Sequence, residues 1–98
     1  MDLRDLAYFE TIAKLGHLGR AAQKLNRSQP ALTKSIQRLE ESLGTRLFER
    51  DGRRIKLIPV GELLKVRGKQ LQQSVAETQR EIRDFANGVM GTIRLGCA

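Results

Sequence analysis

The stretch LGRAAQKLNRSQPALTKSIQRLEESLG, residues 18–44, decides how the rest of the chain is read. Its opening puts Ala21, Ala22 and Leu25 on one helical face and Arg20, Gln23 and Lys24 on the other, with alanines small enough for close helix contact. Asn26-Arg27-Ser28 is a tight connection. Ser28 is a good N-cap for a helix beginning Gln29-Pro30, because first-turn amides have no intrahelical acceptor and lose nothing to proline. From there Leu32, Ile36, Leu39 and Leu43 form an apolar stripe, leaving Gln29, Pro30, Thr33, Lys34, Gln37 and Arg38 on the other side. Gly44 closes the helix by accepting the left-handed conformation. A short helix, a tight turn and a second helix with a polar, cationic free face form the unit that docks in a DNA major groove.

Upstream, Leu3 to Leu15 carries Leu3, Leu6, Phe9 and Ala13 on one stripe with Tyr8, Ile12 and Leu15 beside it, a broadly buried helix that Gly16 ends. The next helix has a weak entry at His17-Leu18-Gly19, since histidine is a poor cap and Gly19 lowers helix propensity. Downstream, residues 46–50 and 54–57 alternate and join through Asp51-Gly52-Arg53, a strong hairpin signal. Pro59 and Gly61 mark a break, after which residues 62–87 read as one long helix ended by Gly88 and Gly91. Leu64, Gly68, Leu71, Val75, Thr78, Ile82, Phe85 and Val89 alternate steps of four and three along it, the spacing of a heptad seam. Residues 92–96 read as the first strand of something the chain does not contain. The expected fold is mainly α with a small β-hairpin: a winged helix-turn-helix followed by a long dimerisation helix. Its parts are a DNA-binding domain over 1–60, with the helix-turn-helix at about 18–37 and the wing at about 46–57, a linker helix over 61–89, and a remnant at 90–98.

The net charge of +7 is concentrated. Arg20, Lys24, Arg27, Lys34 and Arg38 fall in a stretch without a single acid, Glu40 and Glu41 interrupt, and Arg46, Arg50, Arg53, Arg54 and Lys56 follow. Such a patch suits a polyanion, because each phosphate neutralised releases condensed counterions, although a solvated basic face fits the charge alone equally well. Other classes find little support. The single Cys97 forms no internal disulfide, and one histidine without a cysteine cluster assembles no metal site, so no metal and no cofactor are expected. The serines have no histidine partner except His17, no glycine-rich phosphate loop exists, and the carboxylates are scattered, so no enzyme is expected. Acids near the amino terminus and the absence of a long apolar run imply a soluble, cytoplasmic protein without a membrane partner.

The side chains on the free face of the third helix match base edges. Gln29 suits adenine, Lys34 suits guanine O6 and N7, Thr33 and Pro30 suit a thymine methyl, and Ala31 adjoins them, while Arg38 is better placed for phosphate. In the wing, Arg53 suits a narrow minor groove, with Arg50 and Arg54 at phosphates, unless these arginines serve only to keep an edge hairpin soluble. The seam residues Leu64, Leu71, Val75, Thr78, Ile82 and Phe85 call for a partner helix, because a helix this long otherwise leaves an apolar strip in water. Two competing classes are a protein-interaction module, whose helix pairing would resist salt where DNA binding does not, and an RNA binder, disfavoured by only four aromatic residues.

At Ala21-Ala22 and Leu25, then Ser28-Gln29-Pro30-Ala31, Ile36, Leu39-Glu40, Leu43-Gly44 and Leu47-Phe48-Glu49-Arg50, the sequence resembles the LysR-type transcriptional regulators. The match covers residues 1 to about 65. It implies a winged helix-turn-helix and a linker helix that pairs antiparallel with a second copy. It also implies a tetramer for the full protein and a small-molecule effector bound only by a carboxy-terminal domain that this chain lacks; an interrupted palindrome is expected as the DNA site because a twofold dimer must meet two half-sites of opposite orientation. The family uses the positions of Gln29, Pro30, Thr33 and Lys34 against bases and that of Arg53 in the wing. This chain departs from the pattern at Leu18-Gly19, where an aromatic and a Ser or Thr are common, so a phosphate contact from position 19 is lost. It departs again at Ile58 and Val60, where Thr and Ala are typical.

Overall fold

A computed structural model describes residues 1–52 and 54–92, the last four of these for their backbone alone. The order is α1 (Leu3–Leu15), α2 (Leu18–Leu25), α3 (Gln29–Leu43), β1 (Phe48–Asp51), β2 (Arg54–Leu57) and α4 (Pro59–Thr92). Local chemistry sets the boundaries. Asp2 caps α1 by accepting the Arg4 amide at 2.8 Å, and Ser28 caps α3 by accepting the Ala31 amide at 3.2 Å. Gly16, Asn26 and Gly44 take the left-handed conformation at the three C-termini, and Asn26 does so in the turn between α2 and α3.

The core lies where α1, α2 and α3 meet the foot of the wing. Leu6, Phe9 and Ile12 of α1 pack with Leu18, Ala21 and Ala22 of α2, Leu32 and Leu39 of α3, and Leu47 and Phe48. The rings of Phe9 and Phe48 are 5.2 Å apart and tilted, a geometry aromatic pairs favour. Two expected stripe residues lie toward the surface instead, Leu3 in α1 and Leu43 in α3. Two polar residues take the interior. Asp5 is 3% exposed and Ser35 is fully buried, and the Ser35 hydroxyl donates to the Asp5 carboxylate at 2.6 Å.

The wing is an antiparallel hairpin with Phe48 opposite Leu57 and Asp51 opposite Arg54, and Gly52, just past β1, stands at φ 62°. It is tied down twice. The Ile55 amide donates to the Gly16 carbonyl at 3.1 Å beside a bridge between His17 and Arg54, and the Leu47 amide donates to the Glu40 carboxylate at 2.8 Å.

Helix α4 corrects the sequence reading at both ends. Pro59 does not break the chain; it is the helix's first residue, where proline is tolerated, and Gly61 lies inside the helix. Gly88 and Gly91 do not end it, since the helix continues to Thr92, and the rest of the expected strand lies outside the described residues. The seam is also not one surface. Gly68 meets Leu6 of α1 so closely that a Cβ there would stand 2.9 Å from a leucine methyl, and Leu64 packs against the core. Gln72 extends this contact by donating to the Leu3 carbonyl at 3.4 Å. Leu71, Ile82 and Phe85 remain exposed, at 42%, 65% and 72%. The near half of the helix is thus shared between its own domain and solvent, and the far half projects, stretching the molecule to 61 Å in its longest dimension.

Candidate nucleic-acid interface

Six of the expected contact residues converge. Gln29, Pro30, Ala31, Thr33 and Lys34 at the start of α3 line one open concavity together with Leu18 and Arg50, the last reaching in from β1. No acid lines it. The proline and the Ser28 cap start α3 on this surface, so the positive end of the helix dipole lies alongside the cations.

Arg54 faces elsewhere, lining a neighbouring concavity with His17, Arg20 and Asp51. Arg53 lies outside the described residues. Arg38 is only partly available: its guanidinium, 59% exposed, gives one N–H to Asp5 at 2.9 Å and its Nε–H to the other carboxylate oxygen at 3.3 Å. Arg38 thus also compensates a buried charge between α1 and α3 while most of its side chain stays exposed.

That Arg38 hydrogen bond holds the Asp5 carboxyl below its ordinary value of 3.8; burial opposes the shift, and the Ser35 bond adds to it. A depressed folded-state value means the carboxylate contributes stability that is present above about pH 3.8 and lost as pH falls below it. Glu10, where α1 meets α4, is pushed the other way by desolvation, partly offset by Gln72 and Lys69. Thermal melts of wild type and Asp5→Asn cancel the Glu10 contribution in their difference. The variant is expected to be less stable by about 2 kcal/mol at neutral pH, and the gap to shrink as pH falls below 3.8. A gap that stays constant with pH refutes the assignment.

Sequence reasoning missed His17 and Gly19. His17 is a working cap, its Nδ1 accepting the Arg20 amide at 3.3 Å, and Gly19 lies against both the His17 ring and the Gln29 amide. The only sequence signal was the placement of a ring nitrogen acceptor one residue before a helix.

Residues 3–62 match the family described as bacterial regulatory helix-turn-helix protein, lysR family. The chain belongs to the LysR family. It is 38% identical over 95 residues to the HTH-type transcriptional regulator TfdT of Cupriavidus pinatubonensis, covering 97% of this chain and 42% of that protein. It is 37% identical over 98 residues to the HTH-type transcriptional regulator IlvY of Escherichia coli, covering all of this chain and 33% of that protein. Among solved structures, a CbnR_DBD–DNA complex matches with a TM-score of 0.85 at 32% identity, covering 88% of this chain and 99% of that one. A BenM_DBD complex with catB site 1 DNA matches with a TM-score of 0.82 at 35% identity, covering 88% and 96%. The winged helix-turn-helix with its long helix is thus the fold of LysR-family DNA-binding domains, and the matched relatives are regulators, not enzymes. The chain spans less than half the length of these curated relatives. Among the described residues no helix is long and apolar enough to cross a membrane, and no cluster of potential metal ligands occurs.

Proposed function

We propose that this chain is the DNA-reading part of a cytoplasmic transcription regulator that binds an interrupted palindrome as a dimer. The first turns of α3 enter the major groove with Gln29, Pro30, Ala31, Thr33 and Lys34 toward base edges. Arg50 meets the phosphate backbone beside them, the wing brings Arg53 to a minor groove and Arg54 to phosphate, and Arg38 makes at most a secondary phosphate contact. Two copies pair through the exposed strip of α4, with Leu71, Thr78, Ile82 and Phe85 at its centre and Val75 at its edge. Leu64 is mainly engaged by its own domain. In the whole protein, a tetramer and a carboxy-terminal domain for a small-molecule effector complete the assembly.

The observation that carries this reading is the convergence of Gln29, Thr33, Lys34 and Arg50 on one acid-free surface at the start of a capped helix. The structural relatives that were solved bound to DNA support it. Selection of bound duplexes from a randomised pool tests it. Gln29→Ala and Lys34→Ala are each expected to relax preference at one position of each half-site, at a cost of roughly 1 to 3 kcal/mol. Arg50→Ala is expected to weaken all sequences alike and to flatten the salt dependence by about one unit. Unchanged preference in the first two removes the reading surface, and binding indifferent to salt favours a protein-interaction module instead.

A further inference from the structure

A Cβ placed on Gly19 would stand 3.2 Å from Cε1 and 3.4 Å from Nδ1 of His17, and 3.3 Å from Nε2 of Gln29. Three side-chain atoms from two residues thus crowd the space that any other amino acid at position 19 would occupy. One is the amide nitrogen of the residue at the start of α3; the others belong to a ring that is itself fixed. His17 is held because its Nδ1 accepts the Arg20 amide, and its backbone is fixed by the bridge to Arg54 of the wing. Position 19 therefore forms a floor that the His17 ring and the Gln29 amide both approach, the ring bounding the space on one side and the amide on the other.

We infer that Gly19 and His17 are positioning residues that set the direction in which Gln29 presents its amide, and so set base preference at the position Gln29 reads. The inference rests on the base-reading role proposed for Gln29. The physical reason is that a glutamine bonds adenine through both ends of its amide, and that recognition is lost when the plane of the amide turns away. An exposed glutamine has several rotamers of similar energy, and a neighbour that selects one of them changes specificity without touching the DNA. Other polar side chains line the concavities around this seat, Arg20, Gln23, Asn26, Arg27 and Ser28 on one side and Arg50 on the other, but the atoms that meet position 19 itself are those of His17 and Gln29.

The test is a set of variants of the 98-residue chain assayed on the best duplex selected by the wild type and its three single-base alternatives at the Gln29 position. Gly19→Val fills the seat without adding a hydroxyl that could reach phosphate, and is expected to lower preference there about tenfold, toward the level of Gln29→Ala, with affinity for random-sequence duplex unchanged. His17→Asn keeps a capping side chain but removes the ring, and should lower the same preference severalfold. Gly19→Ala, which favours the helix, guards against misfolding and is expected to fall between wild type and Gly19→Val. In a Gln29→Ala background all three substitutions should have no further effect on preference. Equal effects with and without Gln29, or preference unchanged in all three variants, overturn the inference while leaving the reading role of Gln29 in place. A Gln29→Ala protein with wild-type preference overturns both.

Discussion

Replacing Gly61 with alanine is expected to destabilise the domain by about 3 kcal/mol, near the upper end of what one added methyl does to a packed interior. The position lies in the first turn of α4, where the helix crosses the base of the wing. An added Cβ would collide with the backbone carbonyl oxygen of Leu47 and stand 2.8 Å from a Leu57 methyl. That carbonyl already accepts the Ile58 amide at 3.1 Å, and Leu47 is completely buried, so neither partner moves without opening the junction between wing and helix. Two other glycines in the same helix grade the effect. At Gly68 the added atom meets only the Leu6 side chain, so alanine there should cost less, about 1 kcal/mol. At Gly88 it meets nothing within 4 Å, and alanine should stabilise by roughly 0.5 to 1 kcal/mol through helix propensity. Denaturant melts of the three variants give the order directly. A Gly61→Ala protein as stable as Gly88→Ala would mean that α4 does not cross the wing where described.

What the sequence made legible was whatever short-range chemistry determines. Ser28 ahead of Gln29-Pro30 announced α3, and Gly16 and Gly44 announced helix ends, because caps and left-handed residues act within a few positions of themselves. Asp51-Gly52 gave the hairpin for the same reason. What stayed hidden depends on contacts distant in sequence. Asp5 and Ser35 are thirty residues apart, and each looks like a surface residue until α1 and α3 are packed and Arg38 closes over them. Apolar periodicity has no means of marking a polar pair in a core. Pro59 was misread although the rule that explained Pro30 applied to it equally, since only the tertiary path shows whether a proline starts a helix or breaks one. The heptad spacing of α4 was real, but a repeat in sequence does not say whose surface it meets. Gly61, Gly68 and Gln72 turn the near half toward the helix's own domain, while Leu71, Ile82 and Phe85 are left for another occupant. In the candidate site, the type of side chain was legible at Gln29, Thr33 and Lys34; the role of Gly19 was not, because it consists of space that neighbours fill.

The strip left over on α4 leads to the second large effect. Ile82→Asp combined with Phe85→Asp is expected to convert the chain from a dimer to a folded monomer. Both side chains are more than 60% exposed within one protomer, so charge there removes no contact of the domain itself. They lie one turn apart on the projecting half of the helix, where two carboxylates would sit in the middle of any apolar pairing surface, an uncompensated burial that association does not tolerate. Leu64→Asp is the informative contrast. Because Leu64 packs on the core, its replacement should lower the melting temperature sharply, whereas the double variant should melt like the isolated wild-type domain at low concentration. Sedimentation across a concentration series separates the two outcomes. On DNA, the monomer should retain its affinity for a single half-site but lose about a hundredfold or more on the palindrome, since the second half-site is no longer engaged by a tethered partner. Inserting half a helical turn between half-sites should cost the wild type a similar factor and cost the monomer nothing, because only a rigid pair of domains senses the face of the duplex on which each half-site lies. A double variant that still sediments as a dimer, or a wild type indifferent to spacing, would place the pairing surface elsewhere and leave the exposed strip of α4 without its proposed role.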